Sequence, residues 1–274
     1  MSTEVNRISP SGPTLRERLR EVWRFRALFA VCVERVIKLR FKQTLVGPVW
    51  VVLQPIMLTV VFTVVFSRVA RVPSEQVPYP VFAFSGLVVW TFFSASFVLA
   101  TNSLVTQQQV VSKVYFPRII LPTATVAAFV IDLVAAVAVL AVLMAVYGVA
   151  PQPTALLGLP WLIEVLVFSS VTSCWASALA VKYRDIRIVL PFFMQFALFL
   201  TPVAYPVTKV PGRFRAIYDL NPMTSIVVGF RSAVLGTPGP SLRAVVLSSG
   251  VVAVAAIVGI GYFVREERFF ADVI

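Results

Sequence analysis

The 274-residue chain is 59% hydrophobic and only 13% charged, with a mean hydropathy of +0.90, whereas soluble domains carry roughly 25% charged residues. A water-soluble core is therefore excluded. The formal charge of +12 reads as arginine and lysine holding membrane loops in place, not as a nucleic-acid surface. Histidine is absent and the two cysteines, Cys32 and Cys174, lie far apart, so neither a disulfide framework nor a Cys/His metal site follows.

Residues 1–13 form a polar tail with Pro10, Gly12 and Pro13, and Thr14 with Glu17 marks a capping box. From Leu15 through Leu19, Val22, Trp23 and Arg26 the spacing is helical, with arginines filling the other positions. This predicts an amphipathic interface helix, apolar face in lipid or on protein and basic face toward anionic headgroups. The mixture recurs over Val33–Lys42. The first long apolar run follows only after forty-odd Arg-rich residues, unlike a cleaved signal peptide.

Between Lys42 and Arg68, and again from Gln76 to Ser112, no residue is charged. A hydrocarbon core of ~30 Å takes roughly 20 helical residues, and helices satisfy their own backbone there. Six spans are read at approximately 47–67, 81–104, 121–147, 160–180, 188–206 and 244–264, with kinks expected at Pro55 and Pro202. The apolar stretch that starts at Pro222 meets Arg231 and ends by Gly236, too short to cross, and predicts an outer-side re-entrant hairpin. The expected fold is an all-α membrane protein with six transmembrane helices. Residues 1–46 form a cytosolic tail and interface helices, 47–264 the membrane domain, and 265–274 a cytosolic tail. Seventeen of the 24 Lys and Arg residues then fall on the side of the N-terminus, so both termini are expected in the cytosol.

The search for an energy source is informative. A P-loop needs G-x-x-x-x-G-K-[ST], and no Gly-Lys pair occurs in the sequence. Ion-coupled carriers place acids or histidines near mid-membrane, where this chain offers Asp132 and, nearer a surface, Glu164. Asp132 costs on the order of 3 kcal/mol at a helix centre. It is either a polar contact in a transport path or, the favoured reading, a structural hydrogen bond to Thr or Ser of a neighbouring span. No catalytic set is visible, so the chain is not expected to be an enzyme. What is left is a transport subunit driven by another protein, or a passive channel or assembly scaffold.

One further signal concerns kinship. The run Arg40-Phe41-Lys42-Gln43-Thr44-Leu45-Val46-Gly47-Pro48-Val49-Trp50, followed by Leu53-Gln54-Pro55, resembles the entry to the first span of polysaccharide ABC exporter permeases. These type-2 ABC permeases export O-antigen, capsule, teichoic acid or related glycans on lipid carriers. The likeness continues at Lys113–Arg118, Leu200–Val203 with Tyr205-Pro206, Asn221–Met223, Gly229–Arg231 and the closing Phe270–Ile274.

The resemblance implies a homodimer with two cytosolic ABC ATPase subunits, which would hold the ATP and magnesium, in the bacterial cytoplasmic membrane; no cofactor is expected in this chain. It implies that Gln109, Lys113, Tyr115, Phe116 and Arg118 belong to a coupling loop, Tyr115 and Phe116 supplying a knob for a partner pocket. The basic pair can equally serve as topology anchors. Arg35, Lys38, Arg40 and Lys42 become candidates for a lipid-pyrophosphate entry, or for simple headgroup attraction. Aromatic rings stack on sugar faces, so Tyr79, Trp90, Phe93, Phe196 and Tyr205 are candidates to line a glycan path, against the plainer reading of packing. A small lipid, drug or haem is the alternative cargo.

Overall fold

The computed structural model describes residues 23–42, 47, 49–72, 74–109, 116–267 and 270, which are mostly helical and without strands. In chain order the helices are α1 (Arg26–Phe41), α2 (Val49–Phe62), α3 (Tyr79–Thr101), α4 (Ile120–Ala128), α5 (Val130–Val146), α6 (Gly158–Lys182), α7 (Ile186–Phe199), α8 (Gly212–Leu220), α9 (Pro222–Leu235) and α10 (Leu242–Glu266). Five helical stretches are long and apolar enough to cross a membrane: Val49–Val69, Tyr79–Thr101, Ile120–Val146, Ala155–Lys182 and Leu242–Glu266. The remaining expected span, 188–206, is helical only as α7, whose 14 residues reach about 21 Å at 1.5 Å per residue.

Local chemistry sets the boundaries. Asn221 caps α9 by accepting the Met223 N–H at 3.1 Å, with Pro222 at the first helical position where its missing donor costs little. Gly236 closes the helix at φ +72, a left-handed turn that glycine adopts without strain. Ser241 caps α10 through the Ala244 N–H. Pro55 lies inside α2, and beyond Phe62 the turns widen to π geometry over Thr63–Val69. Pro202 lies past the end of α7, in the turn that follows, so it kinks no helix.

Helix α3 is the axis of the bundle. Of its most apolar window 78% is buried, against 17–28% for the other four long helices. It packs against α2, α4, α5, α6, α7 and α9. Lipid is as apolar as leucine, so helices associate there through close packing and small residues. Accordingly α6 buries Ser169, Ser173 and Ser177, each at successive turns of one face. Helices α6 and α9 interlock reciprocally. Phe230 of α9 covers Gly158 of α6, and Trp161 of α6 covers Gly229 of α9.

The segment from Pro222, expected as an outer hairpin, is one buried helix inserted among α3, α6 and α10, with the exposed α8 leading into it at Asn221. Helix α1 runs beside α4 in the same direction. Its first turns contribute Leu28, Phe29 and Cys32 to a cluster at the start of α4, and its last turn reaches the start of α5. The more N-terminal part of the expected interface helix, residues 15–22, lies outside the described residues.

Candidate functional site

Two ends of the bundle and one cavity carry the polar chemistry. At the end where α1 and α4 begin and α10 finishes, Phe116 packs into an apolar cluster with Ile120, Leu121, Cys174, Phe263 and Phe270. Phe116, half of the expected partner-facing knob, is only 4% exposed: this ring is spent on the chain's own core. Arg118 beside it joins the chain's two distant parts. Its backbone N–H donates to Glu267 Oε1 at 2.8 Å, its guanidinium donates to the Glu267 carbonyl, and it lies over the Phe270 ring. Gln109 is exposed, while Lys113 and Tyr115 lie outside the described residues. Phe116 and Arg118 are thus fastened to the end of α10. Replacing Glu267 by Ala is expected to cost about 1 kcal/mol and to speed proteolytic cleavage near residue 267, read by limited proteolysis in detergent.

Between α1, α2, α3 and α5 lies a half-open cavity of about 560 Å³. Asp132, in the first turn of α5, accepts from both terminal nitrogens of Arg40, at 3.3 Å and 2.5 Å. The expected Thr or Ser partner is therefore corrected: the intramembrane acid is neutralised by an arginine 92 positions away. The pairing explains how a carboxylate is tolerated in an apolar helix, because a buried charge needs an opposite charge and hydrogen bonds. The Arg40 guanidinium also covers the Phe129 ring, 3.8 Å from its centroid. Of the other basic entry candidates, Arg35, Lys38 and Lys42 are exposed. Lys38 pairs with Glu34 one turn earlier at 2.5 Å, and lysine holds the Glu34 carboxyl below its usual range.

The aromatic candidates divide. Trp90 and Phe93 are 4% and 6% exposed, and Phe93 stacks between Phe97 and Phe168. This corrects their assignment to a path, since packed core rings offer a polymer no surface. Tyr79 is buried as well, its hydroxyl donating to the Ala204 carbonyl at 2.7 Å. Tyr205 donates to the Phe199 carbonyl and meets the Tyr218 hydroxyl at 2.7 Å. Phe196 alone of the five is largely exposed, at 54%, on an α7 face it shares with Phe192.

The opposite end holds a residue whose role sequence reasoning missed. Arg231 of α9, counted there as an outer-side charge, is 2% exposed. Its guanidinium donates to Ser85 Oγ, the Pro202 carbonyl and the Val203 carbonyl at 3.2, 3.1 and 2.9 Å, and covers the Phe82 ring at 3.7 Å. Gly86 makes the space: a Cβ there would sit 2.5 Å from an Arg231 nitrogen. Among the described residues Arg231 makes no ion pair. Its field reaches Glu75 in the loop before α3, where burial raises the carboxyl pKa and Arg231 partly offsets the rise. The legible signal was an arginine interrupting an otherwise apolar helix, since such residues face protein and find partners. Among the described residues no group of His, Cys, Asp and Glu could hold a metal ion.

Comparison with known proteins fits this architecture. Residues 27–235 match the model of the ABC-2 type transporter family. An O-antigen export system permease protein RfbA from Klebsiella pneumoniae is 27% identical over 253 residues, covering 90% of this chain and 95% of that protein. An O-antigen export system permease protein RfbA from Myxococcus xanthus is 27% identical over 217 residues, 78% of this chain and 82% of its own length.

Proposed function

The chain belongs to the ABC-2 type transporter family, and from that premise we propose that it is the membrane permease subunit of an ATP-driven exporter of lipid-linked polysaccharide. The observation that carries the reading is near-full-length similarity to O-antigen export permeases of two different bacteria. The proposed assembly is two copies of this chain with two cytosolic ABC ATPase subunits, in a bacterial cytoplasmic membrane with both termini inside. ATP and magnesium belong to the partner. The asymmetry of lysine and arginine supports the orientation, and the missing Gly-Lys pair supports a borrowed motor.

The geometry supplies a route for force. The proposed coupling segment meets the rest of the chain at Phe116 and Arg118, in the cluster shared by α1, α4, α6 and α10. A push on that segment moves several helix ends as one body, because a packed core transmits displacement. Arg40 then passes motion of α1 to α5 through Asp132.

Reconstitution tests the reading. Proteoliposomes holding this chain and its cognate ATPase are expected to translocate lipid-linked polysaccharide only with hydrolysable ATP. Lys113→Glu is expected to weaken ATPase co-purification by roughly tenfold, the loss of one or two charge-assisted contacts. Uphill transport by this chain alone, or transport of no glycan under any ATPase pairing, overturns the reading.

A further inference from the structure

The geometry points to Glu267 and Phe270, expected as part of a cytosolic tail, as positioning residues that make α10 follow α4 and so carry displacement to the far end of the bundle. The inference deepens the permease reading and rests on it for the ATPase that pushes. The contacts themselves lie within this chain.

A helix has unpaired N–H groups at its start and unpaired carbonyls at its finish, with partial charges of opposite sign. The start of α4 has no side-chain cap of its own. The Arg118 N–H just ahead of it donates instead to the Glu267 carboxylate at 2.8 Å, so α4 takes its anion from a residue 149 positions away. Reciprocally, the Arg118 guanidinium donates to the Glu267 carbonyl at the end of α10. Each helix end thus receives from the other the charge its own dipole favours. Phe270 closes the joint. Only 2% exposed, it lies beneath the Arg118 guanidinium, 5.9 Å from ring centroid to charge, and packs edge-on against Phe263 of α10.

Helix α10 is suited to be a lever. Its 25 residues extend about 38 Å, and it packs against α6, α8 and α9. Helix α9 carries Arg231 at the opposite end of the bundle. A displacement arriving at Arg118 therefore has two carriers, α4 directly and α10 through the reciprocal caps. Without the caps α4 moves alone, and ATP is hydrolysed with less movement at the far end.

Two measurements test the joint and its role. In the chain alone in nanodiscs, amide hydrogen exchange reads both helix ends. Glu267→Ala is expected to speed exchange from Arg118 to Leu121 about fivefold, as the loss of one hydrogen bond allows. Arg118→Met is expected to speed exchange over the last turn of α10 by about the same factor. In proteoliposomes with the cognate ATPase, Glu267→Ala and Phe270→Ala are each expected to raise the ATP hydrolysed per glycan exported about fivefold, with ATPase co-purification unchanged. Glu267→Gln, which keeps the acceptor, is expected to stay within about twofold of the wild-type ratio. A merely structural contact would lower the yield of folded protein and leave that ratio where it was. If Arg118→Met or Phe270→Ala fails to fold, Glu267→Ala decides alone. Unchanged exchange at Arg118 in Glu267→Ala, or an unchanged ratio in a Glu267→Ala protein that exports glycan, overturns the inference and leaves the permease reading standing. A wild-type chain that exports no glycan with any ATPase overturns the permease reading, and the coupling role with it.

Discussion

Arg231→Ala is expected to be among the most damaging single substitutions in the described residues, lowering stability by about 3 kcal/mol or more. The guanidinium bridges three acceptors on two separate segments, Ser85 of α3 and the Pro202 and Val203 carbonyls of the turn after α7. Truncation leaves two buried carbonyls without this donor, at about 1–3 kcal/mol for each buried group left unpaired. It also opens a void beside Phe82 and Gly86. Buried at 2% exposure, the site gives solvent little access to replace the lost donors. Arg231→Lys is expected to recover only part of the loss, since one ammonium cannot place donors along the edge that a planar fork covers. Arg231→Met refills the volume but donates nothing, so it separates packing from hydrogen bonding. The check is the midpoint of thermal unfolding in detergent. A chain of this size loses roughly 2–4 °C per kcal/mol, and a shift under 2 °C for the alanine variant would refute the clamp.

The Arg231 cluster also marks where sequence reasoning stopped. Apolar runs exposed the spans because bilayer thickness imposes a length on every crossing helix, and five of the six readings coincide with long helices. The fifth reading did not hold its length. Residues 200–206 are apolar enough to continue α7, yet their carbonyls are taken by Arg231 and Tyr79 from elsewhere in the chain. Hydropathy reports what a segment tolerates, not which distant donor claims its backbone. The same limit hid the Arg40–Asp132 pair. Each residue was singled out, one for a basic entry and one for an intramembrane acid, but they lie 92 positions apart. Nothing local couples them; the parallel packing of α1 on α4 does.

Aromatic residues failed for a different reason. Trp90, Phe93 and Phe196 have the same composition signal, yet two are core and one is exposed. A helix as central as α3 has no outward face to offer, whereas α7 touches the bundle on one side only. Which helix becomes the axis depends on all the others, so a ring's surroundings are a property of the assembly. Phe116 shows the converse. The motif around it was legible, but the ring itself is committed to the cluster with Phe263 and Phe270.

Gly229→Val is expected to cost about 3 kcal/mol, the upper range for forcing extra carbon into a packed interface. A side chain at Gly229 would overlap the indole of Trp161 from α6, in the interface between the two helices. The indole has little freedom to retreat, because the same interface seats Phe230 over Gly158 in the reciprocal direction. Pushing one aromatic out of its glycine notch therefore disturbs the other. The strain acts on α9 as a whole, and α9 carries Arg231 two residues further on, so separation of α6 from α9 also threatens the clamp onto the turn at Pro202. A double-variant cycle isolates the cause. Trp161→Ala destabilises on its own by about 3 kcal/mol through the void it leaves. In that background Gly229→Val has room, and its added cost is expected to fall to near zero, a coupling of roughly 2–3 kcal/mol. Thermal unfolding of the four proteins measures it. Simple additivity of the two losses would show that the indole is not what meets the new side chain, and that the glycine is required for some property of α9 itself.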